Sequence, residues 1–149
     1  MKTRIKKLRA NTKLPTRAYA DDAGLDIYYC PEEEKEITVR PMGNAIIPTG
    51  FSIEVPNGYM LEVKNKSGVA AKRQLIVGSC VIDRGYTGEV FVNLNNVGTA
   101  AQVIQPGQKI AQGVFVKIAQ PELVIIESSE NLYETSERQD GALGSTGDF

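Results

Sequence analysis

The sequence predicts an all-β protein, a sandwich or barrel with one short helix and a flexible C-terminal tail. Three observations predict it. Short apolar or alternating runs recur along most of the 149 residues. Glycine and proline, 14 and 7 in number, separate them as turn residues. Helical periodicity is nearly absent.

The first ten residues carry Lys2, Arg4, Lys6, Lys7 and Arg9. They read as a charged edge strand with Ile5 and Leu8 turned inward. Ala45-Ile46-Ile47 is a short apolar strand. Phe51-Ser52-Ile53-Glu54-Val55 alternates with period two, Pro56-Asn57-Gly58 supplies turn chemistry, and Tyr59-Met60-Leu61-Glu62-Val63 returns. That pattern predicts a hairpin. Helix is expected only over residues 68–73, with Ser67 as N-cap. Strands are expected at 75–77, 90–94 and 109–118, and a late one at 123–126. No boundary interrupts residues 1–127. Residues 128–149 are polar, first acidic and then glycine-rich, and are expected to form the tail.

One domain of this size holds a genuine core. A formal charge of −1 argues against a general nucleic-acid binder. No apolar stretch reaches signal-peptide or membrane-span length, so a cytoplasmic protein without a membrane is expected. The two cysteines, Cys30 and Cys80, form no metal-ligand pattern and read as reduced thiols, Cys80 as a small core residue in an apolar run. There is no histidine. The usual general base near neutral pH is therefore missing, and any metal should be hard and oxygen-bound, magnesium first.

That absence draws attention to Cys80-Val81-Ile82-Asp83-Arg84-Gly85-Tyr86-Thr87-Gly88-Glu89. It puts one carboxylate between an apolar run and a glycine-flanked tyrosine, and it reads as a hairpin whose mouth is a pocket. If the protein activates water, a carboxylate must do it, and Asp83 is the best placed. Elsewhere the local signals stay open. Asp26, in Ala23-Gly24-Leu25-Asp26-Ile27-Tyr28, is a turn cap or a site residue. Asn65-Lys66-Ser67-Gly68 is a plain helix cap or an anion site. Pro106-Gly107-Gln108-Lys109-Ile110-Ala111-Gln112 is a turn feeding a strand or part of a site. The segment from Arg138 to Gly147 is a bare tail or a phosphate wrap built from glycines, Ser145, Thr146 and an arginine.

Taken in order, AGLDIY, NKSGVA, VIDRGYTGE, GQKIAQ and RQDGALGSTG resemble the five motifs of the trimeric dUTPase family, from Ala23 to Gly147. The resemblance implies a jelly-roll-like β domain forming a homotrimer. Its active sites are shared between subunits, and the tail closes over a neighbour's site. It implies hydrolysis of dUTP to dUMP and pyrophosphate with Mg2+. Asp83 would deprotonate the attacking water. Tyr86 would pack against the deoxyribose and exclude a 2′-hydroxyl. The segment from Gly78 through Ile82 to Tyr86 would read uracil through backbone groups. Asp26 would hold the metal through its water shell. Lys66, Ser67, Gly68 and Gln112 would contact phosphates, Leu143 and Gly144 would line the nucleotide, and Arg138, Ser145 and Thr146 would clamp the terminal phosphate.

The sequence departs from the family pattern at five positions. Lys66 stands where arginine is usual, which turns a bidentate fork into a point charge. Leu143 stands for a phenylalanine that covers uracil, Gln139 and Ala142 stand for glycines, and Cys80 stands for a glycine beside the pocket. Two other functions are compatible with parts of the pattern. A dCTP deaminase needs a glutamate ten residues after Asp83, where this chain has Asn93. A catalytically weak, dUTPase-like regulatory protein would bind a protein partner.

Overall fold

Backbone pairing, and not nearness in sequence, decides which strands are neighbours here. The computed structural model describes residues 2–133, 135 and 136. The chain divides into two units, Met1–Ala119 and Gln120–Phe149. The first holds strands β1 (Ile5–Lys7), β2 (Leu25–Tyr28), β3 (Ile37–Val39), β4 (Asn44–Pro48), β5 (Phe51–Ile53) and β6 (Tyr59–Lys64), helix α1 (Ser67–Arg73), and strands β7 (Leu75–Val77), β8 (Val81–Ile82), β9 (Phe91–Asn96), β10 (Gln102–Ile104) and β11 (Lys109–Lys117). They form four open sheets, ordered β1-β5, β10-β3, β2-β11-β6-β8 and β4-β9-β7, with no closed barrel among the described residues. All the named pairs are antiparallel.

One core joins the four sheets. Ile27, Val39, Ile47, Phe51, Leu61, Leu75, Leu94, Ile104 and Ile110 come from nine strands, and each is at most 2% exposed. Alternation makes this possible, because every second residue of a half-buried strand faces inward. β9 shows it plainly, with Val92, Leu94 and Asn96 buried and the residues between them more open.

The expected hairpin over residues 51–63 does not form. Its turn does: the Tyr59 N–H donates to the Pro56 carbonyl at 3.1 Å, and Gly58 takes φ 75°. The flanking strands then part. β5 pairs with β1, while β6 pairs with β11 on one edge and β8 on the other. A strand has two hydrogen-bonding edges, and both edges of β6 are taken. The segment from Cys80 to Glu89 is likewise no hairpin, since β8 pairs with β6 and β9 pairs with β4 and β7.

Four smaller expectations also fail. Ile5 and Leu8 are exposed at 38% and 39%, because β1 covers only the edge of β5. Cys80 is exposed and Cys30 is buried, since Cys80 lies in the link between two sheets. Helix α1 has Lys66 as N-cap, and no side chain caps it; Ser67 is already the first helical residue. Residues 123–126 form no strand, and Leu123, Val124 and Ile125 are 79–97% exposed. They pair with nothing among the described residues, and an apolar run without a paired edge is not a strand. No helix among the described residues is long and apolar enough to cross a membrane.

A half-buried ion pair fixes the entry to β9. Arg9 grips Glu89 with both terminal nitrogens and donates its Nε to the Cys30 carbonyl at 3.2 Å, while Glu89 Oε1 accepts from the Gly50 N–H at 2.7 Å. Glu89→Ala leaves the Arg9 charge half-buried and unpaired and should cost about 2–4 kcal/mol in denaturant unfolding. Glu54→Ala, which breaks the solvent-exposed pair with Arg4, should leave the unfolding midpoint unchanged.

Candidate active site

Three segments distant in sequence meet around one carboxylate. Asp26 sits on β2 and is 4% exposed. Its Oδ1 accepts a hydrogen bond from Lys66 Nζ at 2.6 Å. Its Oδ2 lies 2.6 Å from Lys109 Nζ in an ion pair and has no other partner among the described residues. Gln112 stands opposite Asp26 across the β2–β11 ladder and opposite Lys64 across the β11–β6 ladder. Its amide donates to the Asn65 carbonyl at 3.0 Å, and Asn65 Oδ1 accepts from the Val77 N–H at 2.7 Å. The backbone leading to Gly78 is thereby tied to the same cluster.

Local sequence explains the approach. Gly24 leaves room for Gln112: a Cβ there would fall 2.0 Å from Gln112 Oε1. Tyr28 shares the Asp26 face, hydrogen-bonds through its hydroxyl with Thr16 at 2.6 Å, and carries Lys13 Nζ 4.0 Å from its ring centroid. A chain of net charge −1 thus gathers Lys66 and Lys109 around a single buried acid, with Lys13 over the neighbouring Tyr28 ring. Burial pushes the Asp26 carboxyl up, but the ammoniums of Lys109 and Lys66 outweigh it and hold the group below the usual carboxylate range. The same contact raises Lys109 above the ordinary lysine value.

Asp83 lies elsewhere. It follows β8 and opens a turn in which the Tyr86 N–H donates to the Asp83 carbonyl at 3.3 Å and Gly85 takes φ 96°. That is the positive φ a type II turn needs at its third residue. The Tyr86 ring folds back over Gly88, where a Cβ would fall 2.5 Å from its hydroxyl, and the hydroxyl donates to the Glu89 carbonyl at 2.8 Å. Asp83 is exposed, and its carboxylate has no hydrogen bond or ion pair among the described residues. β2 and β8 are opposite edges of one four-stranded sheet. Three inter-strand spacings separate them, roughly 14 Å before any offset along the strands.

The candidate residues therefore fall into two groups. Asp26, Lys66 and Gln112 come together, with Ser67 and Gly68 following Lys66 in the first turn of α1. Gly78, Ile82, Asp83 and Tyr86 belong to the segment running to and beyond β8. Gly78 packs so closely on β9 that a Cβ would fall 2.0 Å from Asn93 Oδ1. Arg138, Gln139, Ala142, Leu143, Gly144, Ser145 and Thr146 lie outside the described residues. A cleft of about 620 Å³ runs beside Arg84, Gly85 and Tyr86 and is lined on its other side by β1 and β5; neither Asp26 nor Asp83 lines it.

Sequence reasoning gave no role to Lys109 or Asn65, although both lie in motifs it singled out. A cation within GQKIAQ was a usable signal for Lys109, but nothing in the sequence marks where the strand bulges. Magnesium fits this donor set in one way. No cluster of three metal-ligating side chains exists among the described residues. One carboxylate suits a cation that keeps its waters and takes its other ligands from phosphates.

Comparison with known proteins gives a consistent result. The sequence profile of the family described as dUTPase matches residues 10–147. The deoxyuridine 5'-triphosphate nucleotidohydrolase of Hydrogenobaculum sp. is 36% identical over 149 residues, covering 99% of each chain. A dUTPase of Staphylococcus bacteriophage 80alpha, solved as a point mutant with dUpNHpp, superposes with TM-score 0.85 at 28% identity over 98% of both chains. A mutant dUTPase from phage phi11 of S. aureus, described as revealing the coordination of a structural Mg(II) ion, superposes with TM-score 0.78 at 27% identity over 88% of this chain and 100% of its own.

The charge state of Asp26 has a measurable sign. Its folded-state pKa is depressed, so its stabilising contribution is full above the unfolded value near 3.9 and is lost as pH falls through the lower folded value. The stability difference between the wild type and Asp26→Asn, measured by urea unfolding, should be constant from about pH 6 to 5 and shrink below about pH 4. A difference that widens in acid would contradict the clamped, ionised carboxylate.

Proposed function

This chain belongs to the dUTPase family, and from that premise we propose that it hydrolyses dUTP to dUMP and pyrophosphate with magnesium, Asp83 taking the proton of the water that attacks the α-phosphorus. The observation that carries this reading is the Asp26 cluster: one ionised, buried carboxylate among lysines supplied by segments far apart in sequence. Such a cluster suits a polyphosphate and its metal.

Asp26 would hold magnesium through the ion's water shell. The cation, when bound, offsets the charge on the triphosphate. Lys66, Ser67, Gly68 and Gln112 contact the phosphates, and Arg138, Ser145 and Thr146 of the tail clamp the terminal one. Asp83 orients a water in line with the bond between the α-phosphorus and its bridging oxygen. The water oxygen bonds to phosphorus, its proton passes to Asp83, and pyrophosphate leaves with the bridging oxygen. A carboxylate is a weak base, and positioning compensates: a placed base contributes about 10²–10⁴ in rate.

Uracil is read by the backbone of the segment from Gly78 through Ile82 to Tyr86. Its N3–H and two carbonyls alternate donor and acceptor, which open strand groups complement. Cytosine presents a different order and leaves buried groups unpaired, a mismatch worth about 10⁴ in discrimination. Thymine is rejected by packing, since one methyl in a full pocket costs about 1–3 kcal/mol. Tyr86 packs on the deoxyribose, and Leu143 and Gly144 complete the nucleotide's surroundings.

Strand order supports a shared site. One nucleotide cannot easily engage Asp26 and Asp83 of the same chain across the width of a four-stranded sheet. A homotrimer supplies them from different copies, with the tail of residues 128–149 reaching over a neighbour. Deamination of dCTP has less support. Asn93 stands where it needs a glutamate and is occupied as an acceptor for Asn95 at 3.2 Å.

Asp83→Asn should lower kcat by about 10²–10⁴ while leaving the affinity for a nonhydrolysable dUTP analogue within a few-fold. Pyrophosphate release and calorimetric titration measure the two quantities. Near wild-type turnover in this variant would overturn the assignment.

A further inference from the structure

We propose that Lys109 is a positioning residue for this reaction: it holds the buried Asp26 carboxylate so that Lys66 can leave that carboxylate for the nucleotide's phosphates. The inference rests on the reading of Lys66 as a phosphate contact and adds a residue to which that reading gives no role.

The geometry assigns the two lysines to different oxygens of one side chain. Lys66 is on Oδ1 and Lys109 is on Oδ2, each at 2.6 Å. Asp26 is 4% exposed, and Oδ2 has no other partner among the described residues. Lys66 cannot give its whole charge to a phosphate and to Asp26 at once. If it moves and nothing else holds Asp26, a buried carboxylate is left unpaired, which is strongly unfavourable. Magnesium would reach Asp26 only through water, so Lys109 is the direct cationic partner that remains. Its only ion pair among the described residues is to Asp26.

A distortion of the backbone delivers Lys109 to that oxygen. Gln112 faces the same side as its cross-strand partner Asp26, so in a regular strand Lys109, three residues earlier, would face the opposite side. The ladder shifts register between Lys109 and Ala111, so that Ala111 pairs with Ile27 but Lys109 pairs with Tyr28. Ile110 is the extra residue. Ile110 and Ala111 are both buried, at 1% and 0% exposure, and Lys109 returns to the face of Tyr28 and Asp26. Re-aiming one side chain in this way is a known use of a β-bulge.

A double-mutant cycle tests the role. Calorimetry with a nonhydrolysable dUTP analogue and magnesium is run on the wild type, Lys109→Met, Asp26→Asn and the double variant. Lys109→Met should weaken binding by about tenfold or more and raise KM for dUTP by more than it lowers kcat. In the Asp26→Asn background the same substitution should change affinity by less than about twofold, because no buried charge remains to be stranded. Lys109→Arg should recover the wild-type affinity to within about threefold. Unchanged binding in Lys109→Met overturns the proposal. Equal losses in both backgrounds also overturn it, since they mean that Lys109 touches phosphate directly. Should Lys109→Met not fold, Lys109→Gln takes its place. Lys66→Met is measured alongside: unchanged affinity there removes the phosphate role of Lys66 itself, whereas a loss there with none in Lys109→Met removes only the role of Lys109.

Discussion

The order of strands in the sheet β2-β11-β6-β8 is the constraint on which the site depends. β11 lies between β2 and β6, so Gln112 stands beside Asp26 on one side and Lys64 on the other. The chain leaving β6 runs directly into Asn65 and Lys66, which close over the same spot. The same order sends β8, and Asp83 after it, to the far edge. Backbone hydrogen bonds enforce this. No side-chain rotamer carries Asp83 across three strand spacings, roughly 14 Å.

Within that frame a single buried acid organises a basic face. Burial alone would favour the neutral carboxylic acid, and the two ammoniums reverse the preference. The net charge of the molecule says nothing of this, because the lysines concerned are a small part of a nearly balanced total. What matters is that β2, the β6–α1 link and β11 bring their charges to one place. The other anchor, Arg9 with Glu89, acts on the backbone. It ties the chain behind Asp83 to the N-terminal segment and to the carbonyl of Cys30.

Much of this was legible in the sequence. Period-two alternation marked β5, the runs at 59–63 and 90–94 marked β6 and β9, and the turn at Pro56-Asn57-Gly58 forms as its residues require. The motifs containing Asp26, Lys66 and Gln112 do meet. The failures share a cause, namely that pairing is decided beyond the local window. β5 and β6 look like hairpin partners until β11 and β8 take both edges of β6. Cys80 sits in an apolar run, yet that run is a link between sheets and leaves it exposed. Residues 123–126 have strand composition without a strand to pair with. Lys109 was the most deeply hidden, because counting by twos places it on the wrong face and only the bulge before Ala111 corrects the parity.

The sheet sets Asp26 and Asp83 on opposite edges. On the proposed reading, one nucleotide would therefore meet Asp26 of one copy and Asp83 of another. Subunit mixing tests that most directly. Purified Asp26→Asn and Asp83→Asn proteins, each nearly inactive, are dissociated together, reassociated at equal ratio and assayed for pyrophosphate release. Random assembly of shared sites restores wild-type groups at about one site in four, and hence about a quarter of wild-type turnover. Activity no higher than that of the two variants alone would mean that both carboxylates serve from the same chain, which would contradict the account.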